Sequence, residues 1–474
     1  MKTGSWSELV APGYRLSAAV FAGGVAINAI EVYIGSTLMP SVVADIGGID
    51  LFAWVTTVFV VASIAASMFA AVRPFGLGPR QNYLIAAAAF GIGSLICGAA
   101  PSMPVLLVGR AIQGFGAGLL GALVYMMVRI VFPERLWARA FALVSSMWAI
   151  ATLVGPAIGG VFAEFGAWRW AFFALVPLTV LLAWGAVAVV PSRSKEAGMT
   201  KLPTTQIALM MFAVLALSSA GALAYEIRIA ATLTFAAIVS IVSMTFVERR
   251  SIKKLFPTGT FVLGTSLATL FGTMVLLQMS ITSDVFVPLF LQNLHGLGPL
   301  AAGYIVALLA VGWSASSMIT AGWTGARARF LIASGPIVVF ASAIVLALLM
   351  GRNNSTSNLA ILVPIGAALV LMGLGIGSTW TQMTPRVMLA APPGENDLTS
   401  AALSTIQLFA SGMAAALGGL IVNLAGLASG TGSPSVAANW LYGLFVLLPL
   451  FAIPLGLAIA RRDNSAAALT QPAE

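Results

Sequence analysis

Apolar positions in this chain neither alternate nor recur at the spacing of a surface helix; they run on. Breaking the runs at charged residues and at Pro/Gly interruptions gives fourteen spans: 16–42, 53–72, 82–101, 104–130, 138–163, 170–191, 205–223, 228–247, 260–291, 299–323, 330–350, 358–382, 398–426 and 437–460. A helix of about 18 or more apolar residues crosses the roughly 30 Å of bilayer hydrocarbon. In lipid each backbone group must be satisfied within its own segment, and these runs are too long for barrel strands, so every span is predicted to be helical. The expected fold class is all-α: a polytopic membrane protein with fourteen transmembrane helices.

Composition agrees. Hydrophobic residues make up 60% of the chain and charged residues 8%, against about a quarter charged in soluble domains. The net charge of +9 raises the question of nucleic acid, but the basic residues sit in short loops and no binding motif accompanies them, so no nucleic-acid partner is expected. Read as topology signals, they place the N-terminus inside. The inner loops then hold Arg73, Arg80, Arg129, Arg135, Arg139, Arg193, Lys195, Lys201, Arg249, Arg250, Lys253, Lys254, Arg327, Arg329 and Arg386. With Lys2, Arg15, Arg461 and Arg462 at the ends, 19 of the 23 basic residues fall on that side. Arg169, Arg228 and Arg352 are left outside and Arg110 within a span, so both termini are expected to be cytoplasmic. The N-terminal segment has no short apolar stretch with a cleavage site, so no cleavable signal is expected. The single cysteine, Cys97, lies in an apolar run and reads as a packing residue. One histidine, one cysteine and no carboxylate cluster leave little chemistry for an enzyme and predict neither metal nor cofactor.

The spans fall into two groups of six separated by a pair. The expected organisation is a six-helix bundle over 1–191, two linker helices with cytoplasmic loops over 192–257, and a second six-helix bundle with a short tail over 258–474. Two repeats joined in this way suit a carrier that rocks two halves around a central site.

Three short runs carry more. Arg110-Ala111-Ile112-Gln113-Gly114-Phe115-Gly116-Ala117-Gly118 opens the fourth span: a buried Arg needs a partner, and closely spaced Gly lets a neighbouring helix approach. Gly155-Pro156-Ala157-Ile158-Gly159-Gly160 in the fifth combines a missing backbone donor with missing side-chain bulk. Trp168-Arg169-Trp170 reads as an interfacial aromatic belt with one Arg. At these residues the chain resembles the major facilitator superfamily, specifically its fourteen-span drug/proton antiporters. The run at Arg110 is similar to that superfamily's fourth-helix motif, with Gly114 and Gly118. The run at Gly155 is similar to the fifth-helix motif of antiporters, with Pro156, Gly159 and Gly160. Pro288-Leu289-Phe290-Leu291-Gln292, followed by Ala302-Gly303, is similar to the start of the second half. One departure stands out: the loop after span two, Ala71 to Arg80, has Phe75 where the family pattern carries a latch aspartate.

Two carboxylates lie inside spans. Glu31 is near the middle of span one, and a charge there costs roughly 2.5–3.5 kcal/mol on insertion scales. Asp284 lies in span nine, four residues before Pro288. Arg110 supplies a cation for Glu31 if spans one and four meet, and proton and substrate then compete for the carboxylate. The resemblance implies proton-coupled export of hydrophobic or cationic small molecules and agrees with an acidic residue in this part of helix one; the buried charges themselves make Glu31, Asp284 and Arg110 the candidates for coupling. Export of one dedicated metabolite, siderophore or lipid is the alternative, and a purely structural role is the alternative for each charge. Tyr33, Trp54, Gln113, Trp148, Gln278, Trp313 and Gln407 are candidates for the cavity wall, where aromatic faces hold a lipophilic cation. Asp45 and Asp50 read as outer-loop residues, and His295 as a solvated residue in a short outer loop. The Ala/Gly-rich chain points to a bacterial inner membrane, and the resemblance to a monomer.

Overall fold

The computed structural model describes residues 5–72, 78–192 and 203–469, and among them there are helices, turns and no strand. Fourteen helical segments are long and apolar enough to cross a membrane. They are α1 Arg15–Ile46, α2 Phe52–Val72, α3 Pro79–Ala99, α4 Met103–Val131, α5 Glu134–Glu164, α6 Trp168–Val189, α7 Thr204–Ala222 and α8 Ile227–Arg250. After these come α9 Ser266–His295, α10 Pro299–Thr320, α11 Gly325–Leu349, α12 Leu359–Leu389, α13 Asn396–Leu424 and α14 Pro434–Arg462. All fourteen predicted spans therefore appear in order, and the all-α membrane fold is the observed one.

Local chemistry sets the ends. After α1 the chain turns through Gly47 and Gly48, both at positive φ, a conformation that glycine adopts without cost. Ser433 caps α14, accepting from the Val436 amide, with Pro434 in the first turn, where its missing N–H is not needed. The largest shift at a helix start is at α9, expected over 260–291. Gly259 and Gly264 take positive φ, Thr265 caps the helix by accepting from Ala268 N at 3.1 Å, and residues 260–265 form turns instead.

Helix α9 is itself broken. An α-helical piece, Ser266–Ile281, passes into a 3₁₀ segment, Thr282–Phe286, and resumes as Val287–His295 with Pro288 in its first turn. This corrects the expectation for His295. It is the last residue of α9, wholly buried, and its Nε2 lies 3.1 Å from the Met350 carbonyl. The segment that covers it comes from more than fifty residues further along the chain. Asp45 is corrected as well, since it lies in the last turn of α1 rather than in a loop.

Two compact units emerge: Met1–Leu202 with Gly298–Tyr304, and Pro203–Leu297 with Ile305–Glu474. Helices α7 and α8, expected as linkers, group with the second unit. There the Asn423 amide of α13 donates to the Gly221 carbonyl of α7 at 3.0 Å.

Each unit contains the same seam. In the first, α2 packs on α4 where the added carbon of an alanine at Gly114 would stand 2.7 Å from Phe59 Cα, and at Gly118 2.7 Å from Ser63 C. In the second, α10 packs on α12, where the same addition at Gly373 would stand 2.8 Å from Trp313 N, and at Gly377 2.9 Å from Trp313 Cα. Both seams use two glycines four residues apart, the spacing that presents one bare helix face to a neighbour.

Candidate functional site

The site begins with a charge in the wrong solvent. Glu31 lies midway along α1 and is wholly buried; Arg110 on α4 is 4% exposed. The glycine seam brings α4 close to α2, and α1 packs on α4 as well. The two charges form an ion pair, Arg110 Nη1 donating to Glu31 Oε1. A charge pair held out of water is sustained only when further hydrogen bonds satisfy the remaining groups. Arg110 has these. The same Nη1 donates to Gln113 Oε1 at 2.6 Å, Nε donates to the Val55 carbonyl at 3.2 Å, and the guanidinium lies 4.3 Å over the Phe59 ring.

Gln113 in turn donates to Ser94 Oγ at 2.9 Å, and Ser94 donates to the Phe90 carbonyl at 2.8 Å. One chain of hydrogen bonds thus crosses α1, α4 and α3. The carboxylate is less complete: Glu31 Oε2 is buried with no hydrogen-bond partner. Gly35, one turn along α1, leaves the pair its room. A methyl there would stand 3.5 Å from Glu31 Oε1 and 3.6 Å from Arg110 Nη2.

The fifth-helix run lies beside this. An alanine carbon at Gly155 would stand 2.5 Å from Tyr33 Cβ, and at Gly159 3.2 Å from Ile34 Cα, so both glycines bring α5 against α1 around Glu31. At Gly160 it would meet Leu300 Cα at 2.5 Å. Pro156 lies inside α5 without ending the helix.

The remaining predicted residues divide. Thr152 of α5 places its hydroxyl 3.3 Å from the Tyr33 hydroxyl and donates to the Trp148 carbonyl one turn earlier on the same helix at 2.9 Å, while the Trp148 side chain is exposed. Trp54 is half-buried on α2. Gln113 has both ends of its amide engaged, on Arg110 and Ser94, and is wholly buried. In the second unit Gln278 donates to Ser411 at 3.0 Å, and Gln407 lies one turn before Ser411 on α13. Trp313 pairs with Trp380, ring centroids 5.9 Å apart. Asp284 lies half-buried in the 3₁₀ break of α9 and has no ion pair among the described residues.

Ser94, Thr152, Phe59, Ser411 and Trp380 escaped the sequence reading. Ser94, Thr152 and Ser411 carry one signal, as polar residues in apolar spans. Among the described residues no group of three metal-ligating side chains converges. Arg73 to Leu77, with the Phe75 departure, lie outside the described residues. Just beyond them, Arg80 Nε donates to the Val190 carbonyl at 2.8 Å.

Fold and site together define a multi-pass helical membrane protein whose first unit buries a carboxylate–guanidinium pair among tightly packed helices. Residues 21–415 match the family model of the Major Facilitator Superfamily, and the chain belongs to that family of transporters. It is 37% identical over 472 residues to a probable multidrug-efflux transporter of Mycobacterium tuberculosis, covering 98% of each chain. It is also 28% identical over 302 residues to the multidrug efflux pump SdrM of Staphylococcus aureus, covering 60% of this chain and 64% of that one. Among solved structures, a peptide transporter, POT, superposes with a TM-score of 0.65 at 15% identity over 94% of this chain and 95% of that one. A D-xylose–proton symporter gives 0.62 at 14% identity over 92% and 97%. These two likenesses concern the fold alone. Fourteen spans fit the fourteen-span branch of the family.

Proposed function

We propose that the protein is a proton-coupled antiporter that exports hydrophobic or cationic small molecules by alternating access. The observation that carries this reading is the buried Glu31–Arg110 pair with one carboxylate oxygen still unsatisfied. The name of the near full-length relative, a multidrug-efflux transporter, supports the direction and the substrate class.

The pair works as a two-state element. Ionised Glu31 holds Arg110. A proton arriving at Oε2 neutralises the carboxylate and ends the ion pair. Arg110 then keeps its charge satisfied by Gln113, the Val55 carbonyl and the Phe59 ring, all of which are already in place. A cationic substrate favours the ionised carboxylate and a proton favours the neutral one, so each displaces the other. That competition is the minimum chemistry of antiport. The driving force suffices, because one charge moved through 100 mV supplies about 2.3 kcal/mol. Asp284 serves the same cycle from the second unit, at a helix break whose backbone can rearrange. In this reading the chain is a monomer in a bacterial inner membrane with both termini cytoplasmic, and α7 and α8 link two six-helix bundles.

The test is reconstitution in liposomes with an imposed pH gradient and a pH-sensitive dye, adding lipophilic cations and neutral compounds one at a time. Substrate-triggered proton release in the wild type, absent in Glu31→Gln, is the expected result. Substrate uptake without proton movement would overturn the antiport mechanism and leave a carrier of another kind.

A further inference from the structure

His295 is the only histidine in the chain, and it is wholly buried at the C-terminal end of α9. Its Nε2 lies 3.1 Å from the Met350 carbonyl. A carbonyl only accepts, so Nε2 carries the proton and Nδ1 is left as an acceptor. That Nδ1 is buried and has no hydrogen-bond partner. One turn earlier Gln292 Nε2, a donor, is buried in the same condition. Residues three apart on a helix share a face, about 5–6 Å apart at Cβ, so a donor and an acceptor that both lack partners stand on one side of α9. The ring is held under a pinned cover, with Asn354 N donating to the Leu294 carbonyl at 2.7 Å and Ser357 Oγ to the His295 carbonyl at 2.9 Å.

We propose that His295, with Gln292, is a proton-binding site of the second unit. A water held between Gln292 Nε2 and His295 Nδ1 hands a proton to Nδ1, giving an imidazolium whose Nε2–H stays on Met350. The proton comes from solvent and returns to it, and no other bond is made or broken. Among the described residues of the second unit, few charged or titratable groups lie on α9 itself, on the Pro434–Phe445 part of α14 that packs against Val287–His295, or in the cover. They are Asp284, about three turns earlier on α9, Tyr442 of α14, whose ring packs on Phe290, and Arg352 in the cover, exposed and bonded to the Leu348 carbonyl at 3.0 Å. Any part His295 plays in transport rests on the antiport reading; the proton binding itself does not.

A single histidine makes the test direct. Full-length protein carrying ring-¹⁵N histidine, purified with a histidine-free tag into nanodiscs, gives one imidazole signal to follow by NMR from about pH 8 to 5, the range in which imidazoles titrate. The expected result is the Nε2–H tautomer at high pH, a second ring proton as pH falls, and a displaced midpoint in Gln292→Leu. A ring that stays neutral throughout, or a midpoint indifferent to Gln292→Leu, would overturn the proposal. His295→Gln keeps a donor for Met350 but cannot take a proton. Its thermal unfolding should match wild type, while transport loses the part of its pH profile that follows the ring titration. A merely structural histidine would leave that profile unmoved. Wild type without substrate-triggered proton release would sink the antiport reading and leave the ring titration to decide this one.

Discussion

The two units carry the same glycine seam but not the same charges. Aligning Gly114 and Gly118 of α4 with Gly373 and Gly377 of α12 puts Leu369 at the position of Arg110 and Met372 at that of Gln113. Both are buried apolar residues. The first unit therefore spends its fourth helix on a cation and an amide that hold the carboxylate of α1, while the second fills those places with packing. Its own carboxylate, Asp284, sits where α9 loses α-helical geometry. Helix-to-helix scaffolding is repeated, then, and electrostatics is not. A repeat-built transporter can keep packing symmetric while giving the two halves different work.

The comparison breaks most visibly at Glu31. Glu31→Gln keeps the shape and an acceptor for Arg110 but removes the titration, so substrate-triggered proton release should fall to the background of empty liposomes. Release that persisted would move coupling to the second unit and reverse the assignment. Arg110→Ala tests the other member. Leaving a buried carboxylate without its cation should cost about 3–5 kcal/mol of stability, read as a lower thermal midpoint in detergent. Adding Glu31→Gln to that variant should recover most of the loss, because the stranded charge is then gone. An Arg110→Ala midpoint equal to wild type would show that the pair is not held in a dry interior.

The seam comes next in size. Gly114→Ala and Gly118→Ala push a methyl into the backbone of α2 and should each cost about 1–3 kcal/mol. Gly121→Ala, in the same helix with nothing within 4 Å, should be neutral or stabilising by up to about 1 kcal/mol. Equal effects at all three positions would remove close approach as the reason for these glycines. Asp284→Asn should be milder than Glu31→Gln, lowering proton release per substrate by a factor of about five, or about 1 kcal/mol of coupling, with uptake retained. Abolition as complete as in Glu31→Gln would make the two units electrostatic equals after all.

Much of this is legible in the sequence. Long apolar runs fix the helices because lipid leaves the backbone no alternative, and a lone Glu and a lone Arg in such runs almost require each other. The Val55 carbonyl and Phe59 cannot be read, and Ser94 shows only as a polar residue in an apolar span, since what joins them to Arg110 is helix packing across tens of residues. His295 failed for the same reason: His-Gly-Leu-Gly-Pro looks like a loop, and nothing nearby in sequence announces the Met350–Asn358 cover. The start of α9 failed locally, because apolar Phe261, Val262 and Leu263 outweighed the turn chemistry of Gly259, Gly264 and Thr265.

Glu395 offers the smallest effect and the sharpest control, a carboxylate that is well bonded yet lies between α12 and α13 rather than inside a helix. It accepts from the Thr258 amide and the Thr258 hydroxyl, both at 2.6 Å, while Lys254 Nζ donates to that hydroxyl at 2.5 Å. Partial burial pushes the Glu395 carboxyl upward, but the Thr258 bonds and the Lys254 ammonium outweigh it, and it sits below the usual carboxylate range. A group with its folded value depressed contributes stability above the unfolded value of about 4.3, and that contribution fades as pH falls through the folded one. Hydrogen exchange at the Thr258 amide, corrected for intrinsic rate, should therefore be slow at neutral pH and lose protection only in acid below the ordinary carboxylate range. Glu395→Gln should start less protected and show no such step. Its transport pH profile should coincide with wild type, because a proton at Glu395 loosens one loop and breaks no buried ion pair. A shifted profile would mean that strong bonding to a carboxylate, and not its burial beside Arg110, is what ties protons to transport here.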